Sequence, residues 1–204
     1  MSPERATRSR TSSIQRLSEI VGAEDIDLGG RTSPEGAVTI MFSDIEGSTE
    51  MVERLGDEDW LSVLREHNRL IRDLVARHGG TEVKAQGDGF MLVFTSSRAA
   101  LRCAIDVQRE LDASTFGPLD QPLRVRAGLH AGFAIQEESD FFGRNVILAA
   151  RIADRARGGE ILTSQELKEY AEGDGQFRFL QGQELALKGL AGRHVVYPVD
   201  WGAA

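Results

Sequence analysis

The triplet Gly87-Asp88-Gly89 lies between two short, apolar-rich stretches, Thr81–Ala85 and Phe90–Phe94. It restricts the fold more than any other feature of the chain. Glycine accepts the positive φ that a tight turn demands, so the two stretches predict a β-hairpin. Upstream, Val38–Phe42 reads as a buried strand. Residues 58–77 carry Trp60, Leu61, Val63, Leu64, Leu70, Ile71, Leu74 and Val75, a stripe with helical period that Gly79-Gly80 ends. Downstream, Ser97–Leu111 predicts a second helix capped by Ser96 or Ser97. Leu123–Ile135 contains a long strand with Val125, Ala127 and Leu129 on one face.

The resulting order is βαββαβ. It predicts an α+β fold with a ferredoxin-like or palm-like core, an antiparallel sheet with helices packed on one face. The other face would be left for a ligand or a second subunit. After this core the sequence predicts a helix over Gly143–Ala156 and short strands at Ile161–Thr163, Arg178–Leu180, Glu184–Leu187 and Val195–Val199. A helix near Ser164–Tyr170 falls among them. Residues 1–36 stand apart as an N-terminal arm or linker, and 37–204 form the folded domain. The arm reads mainly as a loose tail, with a regulatory or dimer-contacting arm as the alternative. The spacing of Ile14, Leu17, Ile20 and Val21 allows a short helix in it, begun by Ser12 or Ser13.

Charge narrows the partners. The chain of 204 residues has a formal net charge of -8. Arg5, Arg8, Arg10 and Arg16 against Glu4 make the first sixteen residues net +3, which leaves -11 for the rest. An acidic body repels a nucleic-acid backbone. No uninterrupted apolar run is longer than five residues, as at Phe90–Phe94, so no membrane insertion is expected. The polar start is no secretory signal. The single cysteine, Cys103, rules out an internal disulfide and reads as a small buried hydrophobe. A cytoplasmic location is expected.

Two acidic residues occupy special places. Asp44 follows the first strand, and Asp88 sits at the hairpin tip. In a palm-like sheet the two are neighbours. Paired carboxylates repel unless a cation lies between them, and hard oxygen ligands on a rigid turn suit Mg²⁺ or Mn²⁺. Gly47-Ser48-Thr49 precedes a helical turn around Glu50–Leu55, and the free N–H groups of a helix start attract anions. A divalent ion beside an anion cradle points to a nucleoside triphosphate.

The segments Phe42–Thr49, Lys84–Phe90 and Asp140–Arg151 together resemble the motifs of class III nucleotidyl cyclases, the adenylate and guanylate cyclase catalytic domains. The resemblance covers about Val38 to Tyr197. It implies an adenylate cyclase of the bacterial type that converts ATP to 3′,5′-cyclic AMP and pyrophosphate by in-line attack of the ribose 3′-hydroxyl. It implies two divalent ions, Mg²⁺ or Mn²⁺, held by Asp44, Asp88 and the carbonyl of Ile45. Amides at Gly47, Ser48 and Thr49 would hold the triphosphate. Lys84 and Asp140 stand where adenylyl members read the base; a lysine donates to adenine N1 and a carboxylate accepts from its amino group. Arg151 would stabilise charge on the α-phosphate, and Lys188 would reach the terminal phosphates. The family builds its site in a head-to-tail homodimer, with Asp44 and Asp88 of one subunit facing Lys84, Asp140 and Arg151 of the other. The chain departs from the family at Ile147, where an asparagine is usual, and Asn145 is an imperfect substitute. That departure sustains an alternative: a weakly active or inactive cyclase-homology domain that serves as a nucleotide-binding or dimerisation module. A guanylate cyclase is disfavoured by Lys84 and Asp140, and a diguanylate cyclase or polymerase by the hairpin sequence. His130 reads as a structural histidine; His67, His78 and His194 lack ligand spacing.

Overall fold

The computed structural model describes residues 12–23, 37–133, 139–173 and 175–202. Among these, seven strands form one sheet in the order β2-β3-β1-β4-β5-β7-β6. The strands are β1 (Ala37–Ile45), β2 (Thr81–Gln86), β3 (Gly89–Phe94), β4 (Val125–Phe133), β5 (Ile161–Ser164), β6 (Gln183–Leu185) and β7 (His194–Pro198). The helices are α1 (Ser13–Ala23), α2 (Ser48–Leu55), α3 (Asp57–Arg77), α4 (Ser97–Ala113), α5 (Ser139–Ala153) and α6 (Gln165–Ala171).

The βαββαβ core is present. β1 is its centre, antiparallel to β3 on one side and to β4 on the other. The hairpin turns on Gly87 at φ 64°, with Gln86 opposite Gly89. Glycine at the first of two loop positions is the pattern of a tight primed turn. Met41, Ile45, Phe90, Leu92 and Leu129 face α3, α4 and α6 across the larger core. As expected, α3 and α4 share this face.

Three expectations are corrected. The sheet is not wholly antiparallel, because β4 and β5 run parallel with α5 as their crossover. The second face is not bare, because α5 and α1 cover it. Val146, Ala149, Ala150 and Ala153 of α5, with Ile14 and Leu17 of α1, pack on Val38, Ile40, Phe42, Met91 and Val93. The reason is strand alternation: β1 and β3 are apolar at both odd and even positions, so both faces need partners. Finally, Arg178–Leu180 is not a strand; it contributes one bridge, Phe179 to Val199.

The docking of α1 uses the sequence's own signals. Ser12 Oγ accepts from the Gln15 amide at 3.2 Å, a helix cap. Ile14 and Leu17 are fully buried, which is worth about 3–6 kcal/mol of transfer free energy. Gly89 makes room, since a Cβ there would lie 2.8 Å from Ser13 Cβ and 3.0 Å from Leu17 Cδ1. Among the described residues no helix is long and apolar enough to cross a membrane.

Helix α5 approaches β4 with backbone against backbone. A Cβ on Gly128 would lie 2.2 Å from the Ala153 nitrogen and 2.4 Å from its Cα. Gly128→Ala therefore has to push α5 off the sheet. The expected loss is about 2–3 kcal/mol, read as a lower midpoint in thermal unfolding.

Candidate functional site

Asp44 lies within β1 rather than after it, because β1 continues to pair with β4 through Ser43, Asp44 and Ile45. The cross-strand partner of Asp44 is Arg126, whose Nη2 donates to Asp44 Oδ2 at 2.7 Å. Asp88 follows Gly87 in the hairpin turn, and its Oδ1 accepts from Ser13 Oγ at 2.8 Å. Both carboxylates are buried, Asp44 at 3% exposure and Asp88 at 5%. Each retains one buried oxygen without a partner, Asp44 Oδ1 and Asp88 Oδ2. Burial and, next, the charge of Asp88 push the Asp44 carboxyl from 3.8 up to about 7, against the opposing pull of Arg126.

Such a pair has two ways to be satisfied: a proton on one carboxylate or a cation shared between them. Among the described residues no cluster of three or more His, Cys, Asp or Glu side chains offers a metal site. The groups expected to hold a cation here are the two carboxylates and the carbonyl of Ile45, the last residue of β1. A hard ion that keeps water and takes ligand phosphate oxygens fits this donor set; a buried all-protein cage does not describe it. The two unpartnered oxygens are the structural sign of the fit.

The segment expected to cradle an anion follows β1 directly. Gly47 at φ 68° turns the chain out of β1 and into α2, which starts without a side-chain cap. Ser48 and Thr49 line a cavity of about 370 Å³ with Asp88, Gln86, Ser13 and Arg16. A helix start suits an anion such as phosphate.

Arg151 and Lys188 lie elsewhere. Arg151 Nε donates to the Lys188 carbonyl at 3.0 Å and its Nη1 to Asp154 Oδ2 at 3.2 Å. Both residues line a separate cavity of about 390 Å³ with Gln15 and Asp154. Lys84 is half-buried on β2, the outer strand of the hairpin. Asp140 falls in the first turn of α5, and its side chain lies outside the described residues. One chain thus gathers Asp44, Ile45, Gly47, Ser48, Thr49 and Asp88 in one place, and Arg151 with Lys188 in another.

The position expected to carry an asparagine is Ile147, which is exposed. Asn145 is no substitute, because its Oδ1 is engaged with His130 Nε2 at 3.0 Å. His130 is held at its other nitrogen by Ser164 Oγ at 2.9 Å, so its role is structural. The residues missed from the sequence are Arg126, Ser13, Arg16 and Asp154. Arg126 was signalled only by its strand, and its meeting with Asp44 depends on register. The other three depend on where α1 docks, which has no local signature.

Comparison with known proteins follows this geometry. The family described as "Adenylate and Guanylate cyclase catalytic domain" matches residues 31–200. An adenylate cyclase of Mycosarcoma maydis is 34% identical over 164 residues, 69% of this chain and 6% of that protein. An uncharacterized protein of Mycobacterium tuberculosis is 29% identical over 147 residues, 71% of this chain and 48% of that protein. The chain thus spans about half or less of the length of these curated relatives. Among solved structures, adenylate cyclases from Trypanosoma brucei in their monomeric state superpose with a TM-score of 0.73 at 25% identity, over 86% of this chain and 94% of theirs. The adenylyl cyclase CyaB of P. aeruginosa gives 0.69 at 25% identity, over 80% and 93%.

Two buried groups tie stability to pH with opposite signs. Asp44 is raised to about 7, so its unfavourable contribution grows as pH climbs from about 4 to 7. Burial lowers His67 from 6.5 to about 4, so its stabilising contribution is lost as pH falls through that window. Asp44→Asn removes one slope. Its thermal midpoint relative to wild type, measured in chelator, is expected to rise from pH 5 to pH 8; a constant difference would contradict the assignment.

Proposed function

The chain belongs to the adenylate and guanylate cyclase catalytic-domain family, and from that premise we propose that it is an adenylate cyclase, acting in the cytoplasm as a homodimer. The observation that carries the reading is the pair of buried, unpartnered oxygens, Asp44 Oδ1 and Asp88 Oδ2, beside the uncapped start of α2. Mg²⁺ or Mn²⁺, two ions per site, would supply Lewis-acid activation of the ribose 3′-hydroxyl and neutralisation of the phosphates. Asp44, Asp88 and the Ile45 carbonyl would hold them, with Arg126 Nη2 orienting Asp44 Oδ2 at 2.7 Å. Amides at Gly47, Ser48 and Thr49 orient the triphosphate.

The remaining groups belong to the partner's half of each site. Arg151 and Lys188 line a cavity separate from that of Asp88, which is the arrangement a shared site requires. Arg151 would fork onto the α-phosphate oxygens and Lys188 would reach the terminal ones. Lys84 and Asp140 would read adenine, a donor for N1 and an acceptor for the amino group, which favours ATP over GTP. Relatives named as adenylate cyclases support that preference.

A second reading has its own observation. Ile147 cannot hydrogen-bond the nucleotide, and Asn145 is committed to His130. A missing transition-state hydrogen bond costs about 10²–10³ in rate. The chain would then be a weak cyclase or a nucleotide-binding module.

Turnover of ATP and GTP with Mn²⁺ and with Mg²⁺ decides between them. Cyclic AMP from ATP is expected, with GTP the poorer substrate; a dimer inactive with both ions would leave the module reading. Asp44→Ala and Arg151→Ala are each expected to abolish turnover. Mixing the two chains in equal amounts should restore about a quarter of wild-type activity, since half the dimers carry one intact site of two. Ile147→Asn is expected to raise kcat at least about tenfold.

A further inference from the structure

Helix α1 touches both halves of the divided site at once. Ser13 Oγ donates to Asp88 Oδ1 at 2.8 Å. Its flanking residues reach the other side: Gln15 Nε2 donates to Asp154 Oδ2 at 3.2 Å, and Ser12 Oγ donates to Asp154 Oδ1 at 3.0 Å. Asp154 is also the carboxylate that holds Arg151. Between these polar anchors, Ile14 and Leu17 press onto Ile40, Phe42, Met91 and Val93. Arg16 lines the cavity that contains Asp88, Ser48 and Thr49.

We propose that α1 is an intramolecular cover seated on the sheet face where a second copy of this chain docks, and that the shared site assembles only when α1 leaves. The inference rests on the shared-site reading above. If Arg151 of one copy must meet Asp44 and Asp88 of the other, the surface between those groups is the surface that the partner approaches. In the single chain, α1 fills it. The occupant is a second copy rather than some other protein, because the site is incomplete without one: each chain carries the acidic pair and the arginine in separate cavities. The polar anchors of α1 support a displaceable role. They end on Asp88 and Asp154, groups of the site, and the helix lacks acidic residues in its first turn and basic residues in its last.

The test needs no catalysis. In the full-length chain, Leu17→Glu places an unpaired charge against Met91 and Phe42 and expels α1. Sedimentation should then show dimerisation at least tenfold tighter than wild type. Hydrogen exchange should show loss of protection over residues 13–20 while β1 and β3 keep theirs. Dimerisation no tighter than wild type would overturn the proposal. If Leu17→Glu disturbs β1 and β3, the wild-type chain decides. Concentrated from monomer to dimer, it should lose protection over residues 13–20 as the dimer forms. Protection that persists in the dimer, or a chain that forms no dimer at any concentration, would overturn it and leave Ser13 as a fixed support for Asp88. Tighter dimerisation without cyclic AMP would count against the cyclase reading and leave the cover intact.

Discussion

Two carboxylates buried close together are the constraint on which the rest of the site depends. Asp44 comes from β1 and Asp88 from the turn between β2 and β3, and they meet because β1 and β3 are neighbours in register, with Ser43 opposite Phe90. Left alone, the pair resists ionisation, as the upward shift of Asp44 to about 7 records. The fold answers with one donor for each, Arg126 from β4 and Ser13 from α1. It leaves one buried oxygen of each without a partner. A pair held in this way would suit a hard cation without a closed cage around it, with the outer hydrogen bonds orienting the carboxylates in advance.

The sheet explains why Asp88 and Arg151 line separate cavities. β1 is buried along nearly its whole length and is apolar toward both faces. One face is taken by α3, α4 and α6, and the other by α5 and α1. The crossover from β4 to β5 carries α5 over the second face, and Gly128 lets it sit against the strand backbone. Arg151 is therefore placed by α5, whereas Asp44 and Asp88 are placed by β1 and the hairpin. A rigid scaffold between them keeps the two sets apart within one chain.

Much of this was legible in the sequence, for local reasons. The Gly87 turn, the stripe of α3 and the alternation of β4 are written in neighbouring residues, and they sufficed for the βαββαβ order. The acidic pair followed from that order plus the known adjacency of first strand and hairpin. What was not legible depends on distant pieces. The covered second face required knowing where α5 crosses. The Arg126 contact required the β1–β4 register. Ile14 and Leu17 announced a helix, but the loose tail expected around them gave no hint that they bury against Phe42 and Met91. Asn145 could be doubted from its spacing; only its bond to His130 removes it.

The attachment of α1 to the same chain as the surface it covers has a consequence in the cell. A tethered segment competes at a fixed local concentration, of order millimolar for a short connection. A free second copy competes at whatever level the cell makes. At micromolar abundance the partner must bind about a thousandfold better than α1 to displace it. Output would then rise more steeply than protein amount, and doubling expression would more than double the signal. A helix of eleven residues would make the quantity of the protein part of what it reports.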